Sequence, residues 1–332
     1  MPARCWECPI DTENPVLAEV FRSGFAESRH RGAIAALGRD GSARLSAGSA
    51  AEPMFPRSSN KPMQATAMLR CGLDLDSKLL ALAAASHSGE DFHVAGVREI
   101  LAGAGLGPEA LQCPPDLPRD ELALRSLLLG GGEPDRLHMN CSGKHAAMLA
   151  TCVAAGWPTA SYLDPDHPLQ QEIRRTVEEL AGEPVTAVGV DGCGAPVLAI
   201  SLTGLARAFR AIVLAAPGTA ERRVADAMRG YPDWTSGTAR PERELMQAVP
   251  GLLLKAGAEG VEAFALADGR AAAFKIDDGA QRASTAITVA LLDEMGAARL
   301  PDADIAVLDR LASPPVTGGC RRVGEIRVTL PS

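Results

Sequence analysis

Apolar and polar positions follow two rhythms along this chain, one of strands near both ends and one of helices through the middle. Ala33–Leu37 and Ala43–Ser46 are short, largely apolar runs on either side of Asp40-Gly41, the signature of a tight-turn β-hairpin. From Ser58 the pattern becomes helical, and the spacing predicts a helix running to Arg70 and stopped by Gly72. Further helices are expected over Ser77–Ala85, Val94–Ala104, Arg119–Leu129 and His145–Ala155. Pro168–Ala181 carries Leu169, Ile173, Val177 and Leu180 on one apolar face. The β rhythm then returns. Val185–Val190 enters the loop Asp191-Gly192-Cys193-Gly194, whose glycines open backbone conformations closed to other residues. Val261–Ala267 and Ala271–Ile276 flank Asp268-Gly269, a second hairpin signal. A helix near Ser284–Met295 and a strand near Val323–Leu330 close the chain, while Pro114–Pro118 and Thr235–Pro241 read as loops. The expected architecture is α/β (mixed α+β), a layered helix–sheet–helix domain with a mainly antiparallel sheet drawn from both termini. It is one domain, 1–332, divisible into two interleaved subdomains, with a helical middle at about 60–182.

Composition narrows the classes of function. Of 332 residues 46% are apolar and 22% charged, which is globular rather than disordered. A net charge of −8, with no basic stripe, argues against nucleic acid as a partner. No apolar window is long enough to span a bilayer, and Met1–Cys8 lacks the apolar stretch of a signal peptide, so the expected location is cytoplasmic. Eight irregularly spread cysteines do not form a small disulfide framework. Cys5-x-x-Cys8 is half a zinc motif with no second half nearby, and Cys71, Cys113, Cys152 and Cys320 read as small buried hydrophobes. Cys141 and Cys193 stand apart because of their neighbours.

Five short blocks hold the chemistry. Ser58 and Lys61 are three residues apart at an expected helix start, where hydroxyl and amine share a face; a serine there is equally suited to capping. Pro62 suits a first turn. The other blocks are Ser86-His87-Ser88-Gly89-Glu90, Asn140-Cys141-Ser142-Gly143-Lys144-His145, Asp191-Gly192-Cys193-Gly194 and Lys275-Ile276-Asp277-Asp278-Gly279. Gly143-Lys144 is not a phosphate loop: His138 stands where glycine is needed, and His145 replaces the required Ser or Thr. Cys141 and Lys144, with Cys193, offer two soft thiolates and an amine; thiolates suit zinc, whereas lysine is a rare ligand that must first lose its proton. His87 reads as a base or as a hydrogen-bonded structural residue, and Asp278 as a turn. Together the blocks point to serine–lysine nucleophilic chemistry, in which an amine of depressed pKa takes the hydroxyl proton. Two pairs are expected around one substrate, Ser58 with Lys61 and Ser86 with Lys275. Penicillin-recognising enzymes use a similar order of motifs with different third members.

Arg-Ser-x-x-Lys, Ser-His-Ser-x-Glu, Cys-Ser-Gly-Lys-His, Asp-Gly-Cys and Lys-Ile-Asp-Asp-Gly, in this order, resemble the asparaginase II family of rhizobial and actinobacterial type. The resemblance runs from Glu27-Ser28-Arg29-His30 to Val316-Thr317-Gly318-Gly319. It implies hydrolysis of L-asparagine to L-aspartate and ammonia, a fold similar to serine β-lactamases and glutaminases, and a homodimer. It also implies Ser58, Lys61, Ser86 and Lys275 as catalytic residues and Cys141, Lys144 and Cys193 as zinc ligands. Asp191, Arg57, Asn140 and His145 are then expected around the substrate. Gly237-Thr238-Ala239-Arg240 only loosely echoes the family pattern, and His138-Met139-Asn140 replaces a Cys-Ser-Asn run; both bear on substrate preference rather than reaction type. The rival readings are a β-lactamase-like or other serine–lysine amidohydrolase, and a non-catalytic amino-acid- or zinc-binding homologue.

Overall fold

A computed structural model describes residues 14–331, so Cys5 and Cys8 lie outside the described residues. Within it, Phe25–Leu37 is a 13-residue strand that joins two halves of one sheet. Its first part pairs antiparallel with Val16–Arg22, and its second with Ala271–Ile276. The full order is Pro315–Gly318, Arg321–Val328, Val16–Arg22, Phe25–Leu37, Ala271–Ile276, Val261–Ala265, Leu253–Ala256, with Ala43–Ala47 also on the long strand. All these pairings are antiparallel, and both chain ends contribute, as the sequence implies. Where the two halves meet, Gly32 is needed because a β-carbon there would overlap the Lys275 carbonyl.

Both faces of the central strands are covered, so the strands read as continuous apolar runs rather than as an alternation. The two faces differ in size. Ala33, Ala35, Ala263, Ala265, Ala271 and Ala273 face the helical side, where Leu202–Leu214 packs across the sheet. Small side chains let that helix approach closely and bury Leu205, Phe209 and Ile212. Ile34, Phe264, Phe274 and Ile276 fill the opposite face against the helices Ser284–Glu294 and Ile305–Ala312. The helical layer, Lys61–Arg70 to Ala220–Gly230, encloses the larger apolar cluster.

The first strands, both expected hairpins and the helix Pro168–Ala181 are where the pattern puts them. Other expectations need correction. The helix expected from Ser58 begins at Lys61, because Arg57–Asn60 winds as a 3₁₀ turn. Leu202–Leu214, Ala220–Gly230, Pro241–Ala248 and Ile305–Ala312 are helices in stretches to which the sequence pattern assigns no helix. Cys320 is exposed in the turn before the last strand rather than buried.

Replacing fully buried Phe274 by alanine removes a ring from the bulky face. It is expected to cost about 3–5 kcal/mol in urea unfolding. Leu129→Ser, at a position 90% exposed, should change stability by less than about 0.5 kcal/mol. Similar losses at both positions would contradict the layered core.

Candidate active site

Three segments from different layers converge on a cleft of about 400 Å³. The Arg57–Asn60 turn lies over the end of the strand Leu253–Ala256, and there Gly257 leaves room for it. A β-carbon on Gly257 would come within 2.6 Å of the Pro56 carbonyl oxygen. The turn bends because Arg57 sits at φ +51°, a region that non-glycine residues enter only when their surroundings hold them there. What holds it is an ion pair: Arg57 Nε donates to Asp191 Oδ1 at 2.7 Å. Asp191 is presented by a tight loop between the strands Val188–Val190 and Pro196–Leu198, closed by Gly194 at φ +87°. Burial pushes the Asp191 carboxyl up, but the Arg57 hydrogen bond and the Lys144 charge outweigh it and hold the group below the usual range.

The floor of the cleft is built on Lys61, 1% exposed. Its Nζ donates to the Ala85 carbonyl, to Ser86 Oγ at 2.9 Å and to Cys141 Sγ at 3.1 Å. Lys61 therefore meets Ser86 and not its sequence neighbour Ser58. The 3₁₀ turn places Ser58 half-buried on the cleft wall, and its hydroxyl has no hydrogen-bond partner among the described residues. Burial lowers the Lys61 pKa, with the Lys144 charge adding to the effect and Cys141 opposing it.

The expected partnership of Ser86 with Lys275 is corrected by the geometry. Lys275 is one residue from the end of its strand, and its Nζ donates to the carbonyls of Glu259 (2.9 Å) and Ile276 (3.2 Å). It does not line the cleft. The lysine that does is Lys255, on the strand beneath the Arg57–Asn60 turn. Burial, with the Lys61 charge adding to it, brings Lys255 down to about 7. The signal that could have found it is Lys255-Ala256-Gly257-Ala258-Glu259-Gly260, a lysine entering a glycine-containing strand end. His145 is also elsewhere: one residue beyond Lys144 on its helix, it is fully buried with Nδ1 2.7 Å from the Tyr162 hydroxyl. Asn140 does line the cleft, and its carbonyl holds the His87 N–H at 3.0 Å. His87 itself is buried against Ser142 Oγ at 2.9 Å, with its pKa pushed well below the usual value by burial, as suits a structural histidine. The loop 236–240 contributes Ser236 and Arg240 to the cleft lining and is held by Thr238 N donating to Glu90 Oε2 at 3.0 Å.

Cys141, Lys144 and Cys193 come together behind Asp191. Lys144 Nζ donates to Cys193 Sγ at 3.0 Å, and Cys141 Sγ donates to Asn140 Oδ1 at 3.5 Å. The neighbouring Cys141 thiol and the Lys144 charge bring Cys193 down to about 4, while the pairing with Cys193 and burial push Cys141 up to about 12. Among the described residues no group of three or more His, Cys, Asp and Glu is arranged to hold a metal. The donor chemistry of this trio, two sulfurs and one amine, nevertheless fits a zinc ion once Lys144 gives up its proton.

The family model for L-asparaginase II matches residues 18–328. The chain belongs to that family. No curated protein matches it significantly. Similar solved structures include Mglu in its tris and glutamate form, 16% identical with a TM-score of 0.44 over 86% of this chain. The chain covers 63% of that protein's length. A β-lactamase from Mycobacterium bovis is 14% identical with a TM-score of 0.41, over 85% of this chain and 96% of that one. Among the described residues of this family member, no helix is long and apolar enough to cross a membrane.

Gly257→Ala should lower activity far more than stability, because the added methyl displaces the Arg57–Asn60 turn from the cleft and not the core. Equal effects on the urea midpoint and on turnover would contradict this.

Proposed function

We propose that the protein is an L-asparaginase that hydrolyses L-asparagine to L-aspartate and ammonia through an acyl-enzyme on Ser86. The observation that carries this reading is the 2.9 Å hydrogen bond between Lys61 Nζ and Ser86 Oγ on the floor of the cleft. An alcohol attacks an amide only when its proton has somewhere to go. Lys61 can accept that proton in its neutral form, which burial favours. Ser86 Oγ then bonds to the amide carbon, and Lys61 returns the proton to the nitrogen as the C–N bond breaks. Ammonia leaves, and water completes hydrolysis of the ester. Lys255 faces the same cleft with a pKa near 7, so around neutral pH its uncharged amine can take a proton from the water that attacks the ester. Ser58 on the wall is placed to orient that water or to relay its proton. Ser86 N–H already donates to the Thr235 carbonyl at 3.1 Å, so the oxyanion donors are to be sought elsewhere.

Substrate recognition in this reading falls to Asp191 and Arg57, with Asn140 beside them; Asp191, ionised, suits the α-ammonium group. Cys141, Lys144 and Cys193 would hold zinc, which when bound supplies an electropositive anchor for the carboxylate end of the substrate. The functional unit is proposed to be a cytoplasmic homodimer, to be checked by light scattering and by fractionation. Family membership favours this amidohydrolase over the β-lactamase reading; nitrocefin hydrolysis without ammonia release from asparagine would reverse that choice.

Ser86→Ala and Lys61→Met should each reduce ammonia release from asparagine by about 10²–10⁴-fold, and Lys255→Met should reduce it by more than about tenfold. Lys275→Met should stay near wild type. A silent Lys255 with an essential Lys275 would return the second pair to its sequence-based form, and full activity in Ser86→Ala would remove the nucleophile. Because Lys255 must be neutral, kcat/KM should rise as pH passes through about 7, and this limb should flatten in Lys255→Met. Chelation, with zinc content measured alongside, should raise KM more than it lowers kcat; the opposite split would give zinc a different role.

A further inference from the structure

Behind the cleft, on the far side of the Leu253–Ala256 strand end, lies a second cavity of about 250 Å³ that the proposed hydrolysis does not use. Arg240, Glu242, Ala256, Gly257 and Gln281 line both spaces, so they share a wall. The second cavity adds Glu262 from the strand Val261–Ala265 and Ser284 from the first turn of the helix Ser284–Glu294.

Its polar groups are incompletely satisfied. Ser284 is 7% exposed, and its hydroxyl has no partner; Glu242 Oε2 is buried and has none either. Glu262 is 5% exposed and accepts one hydrogen bond, from Thr288 Oγ1. Two carboxylates thus face one small space. Burial and the nearby Glu242 charge raise Glu262 to about 7. The two arginines on the wall are engaged: Arg240 Nη2 donates to Glu242 Oε1 at 3.1 Å, and Arg282 reaches His30 and Ser28. The compact cation nearest these carboxylates, Lys255, acts on both of them but lines the neighbouring cleft and not this cavity. Two carboxylates and one hydroxyl are too few and too weak a set for a divalent ion, whose sites draw on six or more oxygens. They suit a monovalent cation that donates hydrogen bonds.

We propose that this cavity is an ammonium site, a chamber that receives the ammonia released in the neighbouring cleft. The choice of ammonium over other monovalent cations rests on the amidohydrolase reading, since ammonia leaving an amide is largely protonated at neutral pH. Glu242 Oε2, Glu262 and Ser284 Oγ accept its hydrogen bonds, and Arg240 and Gln281 stand in the wall shared with the cleft. No covalent step is involved.

The test uses the full-length protein without substrate. Crystals soaked in rubidium chloride, a probe close to ammonium in size, are measured at the rubidium edge. The expected result is an anomalous peak among Glu242, Glu262 and Ser284 that ammonium removes at lower concentration than potassium or sodium does. In solution, calorimetry at constant ionic strength should show ammonium binding weakened about tenfold in Glu262→Gln. Ser284→Ala should weaken it severalfold and serves as the second variant, because it removes only one oxygen from a helix surface. Absence of a peak in the cavity, displacement by potassium in preference to ammonium, or unchanged affinity in both variants would overturn the proposal. The two readings fail separately. An ammonium site in a protein that releases no ammonia from asparagine overturns the asparaginase reading alone. Rapid ammonia release with no ion in the cavity overturns the chamber alone.

Discussion

Three lysine amines, Lys61, Lys144 and Lys255, are withdrawn from water within one site, and the site is organised around where each can leave its charge. A buried ammonium must be paired or become neutral. Lys144 takes the first course: its Nζ donates to Cys193 Sγ, and the Cys141 thiol together with the Lys144 charge holds Cys193 well below the usual thiol range. Lys61 and Lys255 are shifted toward the second, each lowered by burial and by positive neighbours. One lysine thus holds its proton beside two thiols, while the other two hold theirs less firmly than a free lysine would. The difference lies in the partners: a thiolate for Lys144, and for Lys61 a serine hydroxyl, a carbonyl and a thiol that keeps its proton.

The sheet makes this concentration of charge possible. Its alanine face lets Leu202–Leu214 lie close and leaves the strand ends free to carry polar groups. Lys255 and Glu262 stand on adjacent strands at that edge, and each serves a different space on either side of the wall. The Arg57–Asp191 ion pair then draws the Arg57–Asn60 turn and the Asp191–Gly194 loop together across the cleft. That pair is partly buried and accompanied by further hydrogen bonds, so it fixes geometry in a way an exposed pair would not.

Local pattern carried the strands, the hairpins and the amphipathic helix Pro168–Ala181, because each depends on residues close in sequence. It missed Leu202–Leu214 and Ala220–Gly230, although both have one apolar face: the strand signals on either side of them obscured a periodicity that a helix-length window registers. At the site, the motifs named Ser58, Lys61, Ser86, Asp191 and the Cys141–Lys144–Cys193 trio, and all of these meet around one cleft or directly behind it. The local signal at Lys255, a lysine entering a glycine-containing strand end, marks a strand end but not the cleft it faces, which the packing of the Arg57–Asn60 turn over it decides.

What the chain determined by itself was which residue types are present and which local elements they favour: serines and lysines at helix starts, a glycine loop bearing Asp191 and Cys193, and strands at both ends. Only the tertiary structure decided the pairing. Ser58 and Lys61 are near enough in sequence to share a face, yet Lys61 Nζ is taken up by Ala85, Ser86 and Cys141 while Ser58, in the 3₁₀ turn before the helix, stands on the cleft wall. The same packing carries Lys61 to Ser86 and leaves Lys275 on backbone carbonyls. Spacing sets who can be neighbours within a turn, but the contacts between layers set which hydroxyl an amine reaches.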